Sequence, residues 1–351
     1  MITPWQLLGR NKGSLSEYLK RNGVKFYSLH AIGRAALYEG LKVLGFTSND
    51  SALLPAYVCN TATYPFRKLG MQMRFYNILP SLEPDIADIA SKVGRETKAI
   101  MLVDYFGFPQ ELTPVRDFCK KNGLFLIEDN SHGLLSKNGS RLLGTFGDIG
   151  FSSIYKGLAT PNGGVLYLNN DELILNNPAS SALPSFSWKS DSLFFLSSLV
   201  RSLEIKYGLP TWILRNMYKK IHPTDEGTCD SNLYMGTHIS KVTTDVMEKL
   251  NLEEIISRRR SNYNCWLEKV SGRKGLKVLF ESLSEGICPW NFPLIVEDGN
   301  FIEEIRSQGI GCSTWPELPP EVKGQNDYTN YLAEHLFTLP VHQYVNQKYL
   351  K

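Results

Sequence analysis

The sequence predicts an α/β protein: a mostly parallel central sheet with helices on both faces, plus a smaller C-terminal α/β domain. Three observations carry that prediction. Over the first 150 residues, short apolar runs alternate with segments of helical period, the rhythm of strands joined by crossover helices. Several helical segments stop on glycine, which accepts the left-handed backbone of a helix end. Acids stand where apolar runs finish, at Asp104 and at Glu128-Asp129. In a parallel sheet the carboxyl ends of the strands are where ligands bind.

Taken in order, GRAALYEGLKVL (33–44) has apolar residues at helical spacing and ends at Gly45. SALLPAYV (51–58) reads as a short buried strand, and TATYPFRKLG as a helix from near Thr61, disturbed by Pro65. MQMRFYNI (71–78) reads as a strand, followed by a helix opened at Pro84. TKAIMLVDYFG (97–107) is a nearly continuous apolar strand, LTPVRDFCKKNG (112–123) an amphipathic helix and LFLIEDN (124–130) the next strand. From 171 to 235 the rhythm is lost, and an irregular insertion with helical pieces at 192–205 and 210–220 is expected. From about 241 one long helical segment is expected through EKLNLEEIISRRRSNYNCWLEKV, then a strand NFPLIV (291–296) and a helix IEEIRSQG (302–309). The expected division is a large domain over 1–240 and a small one over 241–351.

Composition narrows the function classes. The net charge of +3 on 351 residues implies no nucleic-acid partner, and Arg258-Arg259-Arg260 reads as a solvated helix face. Six cysteines form no C-x-x-C pair and no zinc-ligand spacing, so no metal is expected and the thiols are read as reduced, in the cytoplasm. The first residues lack the basic-then-apolar order of a signal peptide, and the apolar patch Leu193–Val200 is too short to span a bilayer.

Three pieces of sequence carry chemistry. Lys156, in FSSIYKGLATPNGG (151–164), follows an apolar strand and precedes a Gly-Gly turn, a setting that can keep an amine partly desolvated and nucleophilic. The same residues also fit a lysine on an exposed loop. Asp129 ends a buried strand, where a carboxylate can pair with a protonated ring nitrogen, or can cap the next turn. In HAIGRAAL (30–37), small residues at a helix start leave backbone N–H groups open to a phosphate, and Arg34 can add a charge-assisted contact. His132, His238 and His342 are further candidates that also fit structural or surface roles. Trp290, Trp315 and Phe292 read as core of the small domain, with Trp315 a candidate for the border of a pocket.

The series HAIGRAAL, PAYVC, DYFGFP, LIEDNSHG, FSSIYKGLATPNGG, RRRSNYNCW, WPELP and LPVHQ resembles the sugar aminotransferases of the DegT/StrS type, over roughly residues 30 to 345. The resemblance implies the aspartate aminotransferase-like fold (fold type I), a homodimer, and pyridoxal 5′-phosphate as cofactor. It implies an amino donor, glutamate by analogy, and a keto sugar acceptor carried on a nucleotide. By the same likeness Lys156 matches the cofactor-anchoring lysine and Asp129 the acid at the ring nitrogen. His132 falls near the cofactor's phenolic oxygen; its alternatives are acid–base work and plain packing on the ring. Arg34 and Ala35, behind Gly33, match the phosphate-binding pair, and Ser152 a serine on the same phosphate. Cys59 stands where the family often has a stacking aromatic, which leaves Tyr57 and Tyr105 as candidates for the stack. The 152–156 segment is one residue shorter than in well-known members, and Gly236-Thr237-His238 replaces a phosphate-binding Asn-Tyr-Arg supplied by the partner chain. Two other readings stay open: a sugar dehydratase using the same cofactor, and a cofactor-binding homologue without turnover.

Overall fold

The structure is a computed structural model that describes residues 13–158, 160–176, 235–297, 299–343 and 345. Helix α1 (Leu15–Arg21), strand β1 (Phe26–His30) and helix α2 (Gly33–Val43) open it. There follow β2 (Ser51–Pro55), α3 (Asn60–Lys68), β3 (Gln72–Tyr76), α4 (Ile86–Lys92), β4 (Thr97–Val103), α5 (Leu112–Asn122) and β5 (Phe125–Asp129). A small ribbon of β6 (Lys137–Asn138) and β7 (Arg141–Leu142) precedes β8 (Ile149–Ser153), the one-turn α6 (Ile154–Gly157), β9 (Gly164–Leu168) and α7 (Asp171–Asn176). The helical pieces expected at 192–205 and 210–220 lie outside the described residues.

The main sheet runs β1-β9-β8-β5-β4-β2-β3. From β8 to β3 every pairing is parallel, while β9 runs antiparallel to both of its neighbours. Val103 and Asp129 are register partners at the ends of β4 and β5, so Asp104 and Asp129 emerge side by side at the carboxyl edge. Most residues of β2 and β4 are buried, as expected of strands covered on both faces. SALLPAYV leaves the sheet at Pro55, three residues earlier than its apolar run suggests, and Pro65 sits inside α3 without ending it.

After residue 235 come α8 (Lys241–Met247), α9 (Leu252–Val270), β10 (Leu276–Val278), β11 (Asn291–Val296), α10 (Asn300–Ser307), β12 (Ser313–Thr314), α11 (Asp327–His335) and β13 (Leu336–Pro340). The single helix expected from 241 is therefore two. The break has a local cause: Asn251 is extended (φ −82°, ψ 91°) and its side chain accepts from the Glu254 N–H, capping a fresh helix. Strands β10-β11-β13-β12 form an antiparallel sheet. Two apolar clusters hold the fold. One runs from Phe66, Ile100 and Ile127 to Trp266 and Phe292; the other joins Leu15, Leu19, Ile154, Leu158, Tyr167, Met247 and Leu252.

Candidate active site

Lys156 rides on α6, a single turn too short to hold itself together. Its neighbours anchor it: Ile154 and Leu158 are buried in the second cluster, while Tyr155 is 44% exposed. Gly163 donors and acceptors complete the pinning, with the Ile154 N–H on the Gly163 carbonyl at 2.9 Å. Gly163 itself has φ +125°, and a Cβ there would fall 2.8 Å from Ile154 Cβ, so this turn requires glycine.

Asp129 closes β5, buried, and its Oδ1 accepts from the Ser131 N–H at 2.9 Å. Burial pushes its pKa up, and the Ser131 hydrogen bond and the positive charge of Lys156 pull it back. The amine, on the turn that follows β8, and the carboxylate, at the end of β5, thus act on each other inside one site. Behind them Glu128 accepts three backbone N–H groups, from Gly144 (2.6 Å), Phe146 (2.6 Å) and Gly147 (3.1 Å). The Asp104 carboxyl is buried beside Glu128. Burial first and the Glu128 charge second hold the Asp104 carboxyl well above the usual range.

The start of α2 forms the second part of the site. Its N-cap is Ile32, whose side chain offers no oxygen to the first N–H groups. Gly33 lies so close to β8 that a Cβ would fall 2.4 Å from Ser153 Oγ. Arg34 is half-buried and Ala35 buried in the same turn. Ser152 is not the serine that faces this cradle. Strand alternation turns it the other way, where its Oγ accepts from Asn130 Nδ2 at 3.2 Å; Ser153 takes the position beside Gly33. The Thr237 carbonyl accepts from the Ala31 N–H at 3.0 Å, bringing the Gly236-Thr237-His238 segment of the same chain alongside. His30, at the end of β1, holds Ser28 Oγ at 2.8 Å through Nε2, and its buried Nδ1 has no hydrogen-bond partner among the described residues. Burial first and the nearby His238 second push the His30 pKa down to about 4.

An aromatic wall faces these groups. The His132 ring stacks on Trp290 with centroids 4.0 Å apart and meets Trp315 edge-on at 4.9 Å. Its Nδ1 accepts from the Phe106 N–H at 3.3 Å, and burial, then the charge of Lys156, holds its pKa well below the ordinary value. The ring is therefore neutral with its hydrogen on Nε2, which suits packing and hydrogen-bond donation better than proton abstraction. Phe106 adopts φ +58°, rare for a non-glycine residue, and its carbonyl accepts from the Trp290 N–H at 2.8 Å. This strained turn after β4 ties His132 and Trp290 together. Lys156 Nζ lies over the Trp290 ring, 5.3 Å from its centroid.

Trp290 and Trp315 are thus site residues rather than small-domain core, while Phe292 is core, as expected. Tyr57 and Tyr105 pack edge-on against Trp315, with the Tyr57 hydroxyl on the Trp315 carbonyl and the Tyr105 hydroxyl on the Tyr57 carbonyl at 2.6 Å. Both support the wall from behind. Cys59 caps α3, with its Sγ 3.1 Å from Thr61 Oγ1. His342 is exposed, and its carbonyl accepts from Asn262 Nδ2. Arg259, expected on a solvated face, is 4% exposed and reaches the Lys156 turn; sequence reasoning missed it.

The residues present fit pyridoxal 5′-phosphate. An amine stands near a buried carboxylate that gains from a cationic partner, and an uncapped helix start stands beside a glycine whose missing Cβ leaves room against Ser153.

Comparison with known proteins agrees with this geometry. The model of the DegT/DnrJ/EryC1/StrS aminotransferase family matches residues 14–179. The dTDP-4-dehydro-2,3,6-trideoxy-D-glucose 4-aminotransferase of Saccharopolyspora spinosa is 35% identical over 144 residues, 40% of this chain and 37% of that protein. The GDP-4-keto-6-deoxy-D-mannose 3-dehydratase of Escherichia coli O55:H7 is 28% identical over 85% of this chain and 75% of its own length. The first aminotransferase relatives are matched over less than half of their length. Among solved structures, Helicobacter pylori PseC, an aminotransferase involved in the biosynthesis of pseudoaminic acid, superposes with TM-score 0.69 at 15% identity, covering 99% of this chain and 91% of that one. The fold is that of these sugar aminotransferases.

Proposed function

We propose, from the premise that residues 14–179 belong to the DegT/DnrJ/EryC1/StrS aminotransferase family, that this chain is a pyridoxal 5′-phosphate-dependent aminotransferase. It moves an amino group from an amino acid, glutamate in our reading, to a keto sugar carried on a nucleotide. The observation that carries the reading is the parallel pairing of β5 with β8, Asp129 opposite Phe151, which brings Asp129 and the Lys156 turn after β8 to the same carboxyl edge of the sheet.

When bound, the cofactor supplies an aldehyde to carry nitrogen and a ring that accepts electron density. The chain's own residues divide the rest. Lys156 Nζ would hold the cofactor, and its free amine would take and return the proton at the donor's α-carbon. The Asp129 carboxylate, fixed by the Ser131 N–H, keeps a proton on the ring nitrogen. Gly33, Arg34, Ala35 and Ser153 receive the phosphate, with the backbone N–H groups of α2 as donors. His132 Nε2 would be the donor available to the cofactor's phenolic oxygen, and Trp290 and Trp315 would close the site against water.

Supporting proposals follow from the same reading: a large domain over 1–240, a small one over 241–351, a homodimer, and a place in the cytoplasm. Among the described residues no helix is long and apolar enough to cross a membrane.

A dehydratase reading has one observation in its favour, the match to a sugar dehydratase over 85% of this chain. Mass spectrometry of the sugar product separates the two. With glutamate and dTDP- or GDP-linked 4-keto-6-deoxy sugars, we expect a keto oxygen exchanged for an amino group. A product that has instead lost a hydroxyl and gained no nitrogen supports the dehydratase.

A further inference from the structure

The guanidinium of Arg259, on α9, joins three stretches of chain that are far apart in sequence. Nη2 donates to the carbonyls of Lys156 (3.3 Å) and Gly157 (2.8 Å). Nη1 donates to those of Pro289 (3.1 Å) and Trp290 (3.3 Å), and Nε to Gln343 Oε1 (3.2 Å). These five contacts come from a single residue only 4% exposed. Burying a cation is costly, and a planar five-donor fork is the one side chain that can satisfy such a set from one point.

The two Arg259 acceptors at Lys156 and Gly157 are the last carbonyls of α6, which a helix cannot satisfy internally. Arg259 supplies their donors from outside, and with the same group holds the segment that carries Trp290.

We propose that Arg259 is a positioning residue for Lys156: it locks the lysine turn to the Trp290 segment and so sets where the amine stands relative to Asp129 and the indole. Without it two part-buried carbonyls lose their donors, and the turn shifts to recover them. The inference rests on the reading that Lys156 anchors the cofactor.

The test compares the parent chain with Arg259→Lys and Arg259→Gln for affinity toward two ligands. Pyridoxal 5′-phosphate needs the Lys156 amine; pyridoxamine 5′-phosphate carries its own amine there and needs only the surrounding site. We expect both variants to bind the pyridoxal form at least about tenfold more weakly, with the pyridoxamine form within about twofold of the parent. Equal weakening of both ligands, or weakening of neither, overturns the proposal. Should the variants fail to fold by circular dichroism, Gln343→Ala removes one acceptor only. It should weaken the pyridoxal form by about threefold and leave the other unchanged, and an unchanged pyridoxal affinity overturns the proposal.

A parent chain that takes up neither ligand contradicts the functional reading instead. The lock is then read from acetylation of Lys156 in the cofactor-free protein by peptide mass spectrometry. Arg259→Gln should speed it by at least about threefold while Lys121 on α5 keeps its rate; a Lys156 rate that does not rise overturns the proposal.

Discussion

The floor of the site and its aromatic wall are held by different forces. The floor comes from the ends of β5 and β8 and the start of α2, and its groups are fixed over short stretches of backbone. Ser131 holds Asp129, three N–H groups hold Glu128, and Gly163 pins the lysine turn. The wall joins Phe106 and His132 to Trp290 and Trp315 from the chain after residue 288, and is held by ring contacts of 4.0 to 6.5 Å and a few long-range carbonyl bonds. Backbone-fixed groups sit where chemistry needs a defined atom, whereas ring packing tolerates adjustment. Losses on the floor should therefore be near-total and losses in the wall graded.

The largest effect should follow Lys156→Ala, a loss of about 1,000-fold or more in turnover, read by amino-sugar formation. Asp129→Asn should cost about 100-fold with the protein still folded, as melting temperature would show. Either variant retaining a third of parental activity breaks the contrast. In the wall, Trp290→Ala should slow turnover by about tenfold and cost about 2–3 kcal/mol of stability, while Trp290→Phe recovers most of both. A Trp290→Ala loss as deep as that of Lys156→Ala would make the indole part of the floor.

The cradle offers a paired test. Gly33→Ala places a methyl group 2.4 Å from Ser153 Oγ, whereas the next atoms stand at 3.5 Å. We expect a loss of about 1–3 kcal/mol and weaker phosphate binding, with stability restored when Ser153→Ala is added. No recovery in the double variant would mean that the contact with Ser153 is not what excludes the methyl.

The smallest effect concerns His30. Its folded pKa of about 4 lies below the unfolded value of about 6.5. Above pH 6.5 the ring is neutral in both states and its contribution is fully present. As pH falls from 6.5 toward 4 the unfolded chain takes a proton that the folded one refuses, at a cost approaching about 3 kcal/mol. His132, also held low, acts with the same sign. Asp104, held high, acts with the opposite one, its stabilisation lost as pH rises. Because His30→Gln leaves those two groups in place, its melting temperature should fall less between pH 7 and pH 5 than the parent's.

The same contrast explains what could be read from the sequence. Lys156, Asp129 and Gly33 are carried by short local words, since a strand end, a Gly-Gly turn and a helix start are each encoded by adjacent residues. Two serines stand together at the end of β8, and only the strand's alternation says that Ser153, not Ser152, is the one beside Gly33. Trp290 looked like core because an indole beside an apolar strand gives no sign of what lies across from it, whereas Trp315 was already a candidate for the pocket border. Arg259 did leave a signal. Leu252, Ile255, Arg259, Tyr263, Trp266 and Val270 recur at three- and four-residue steps, so the middle arginine of the run falls on the buried face of α9. The break at Asn251 was likewise legible, since an Asn followed three residues later by Glu254 is a helix-start signature.

The most direct test of the central claim is reduction of the protein with borohydride after incubation with pyridoxal 5′-phosphate, followed by peptide mass spectrometry. The account predicts a yellow protein whose visible band is lost on reduction, with a pyridoxyl adduct on the peptide containing Lys156 and none after Lys156→Ala. A protein that stays colourless, or an adduct spread over surface lysines and unchanged in Lys156→Ala, would contradict it.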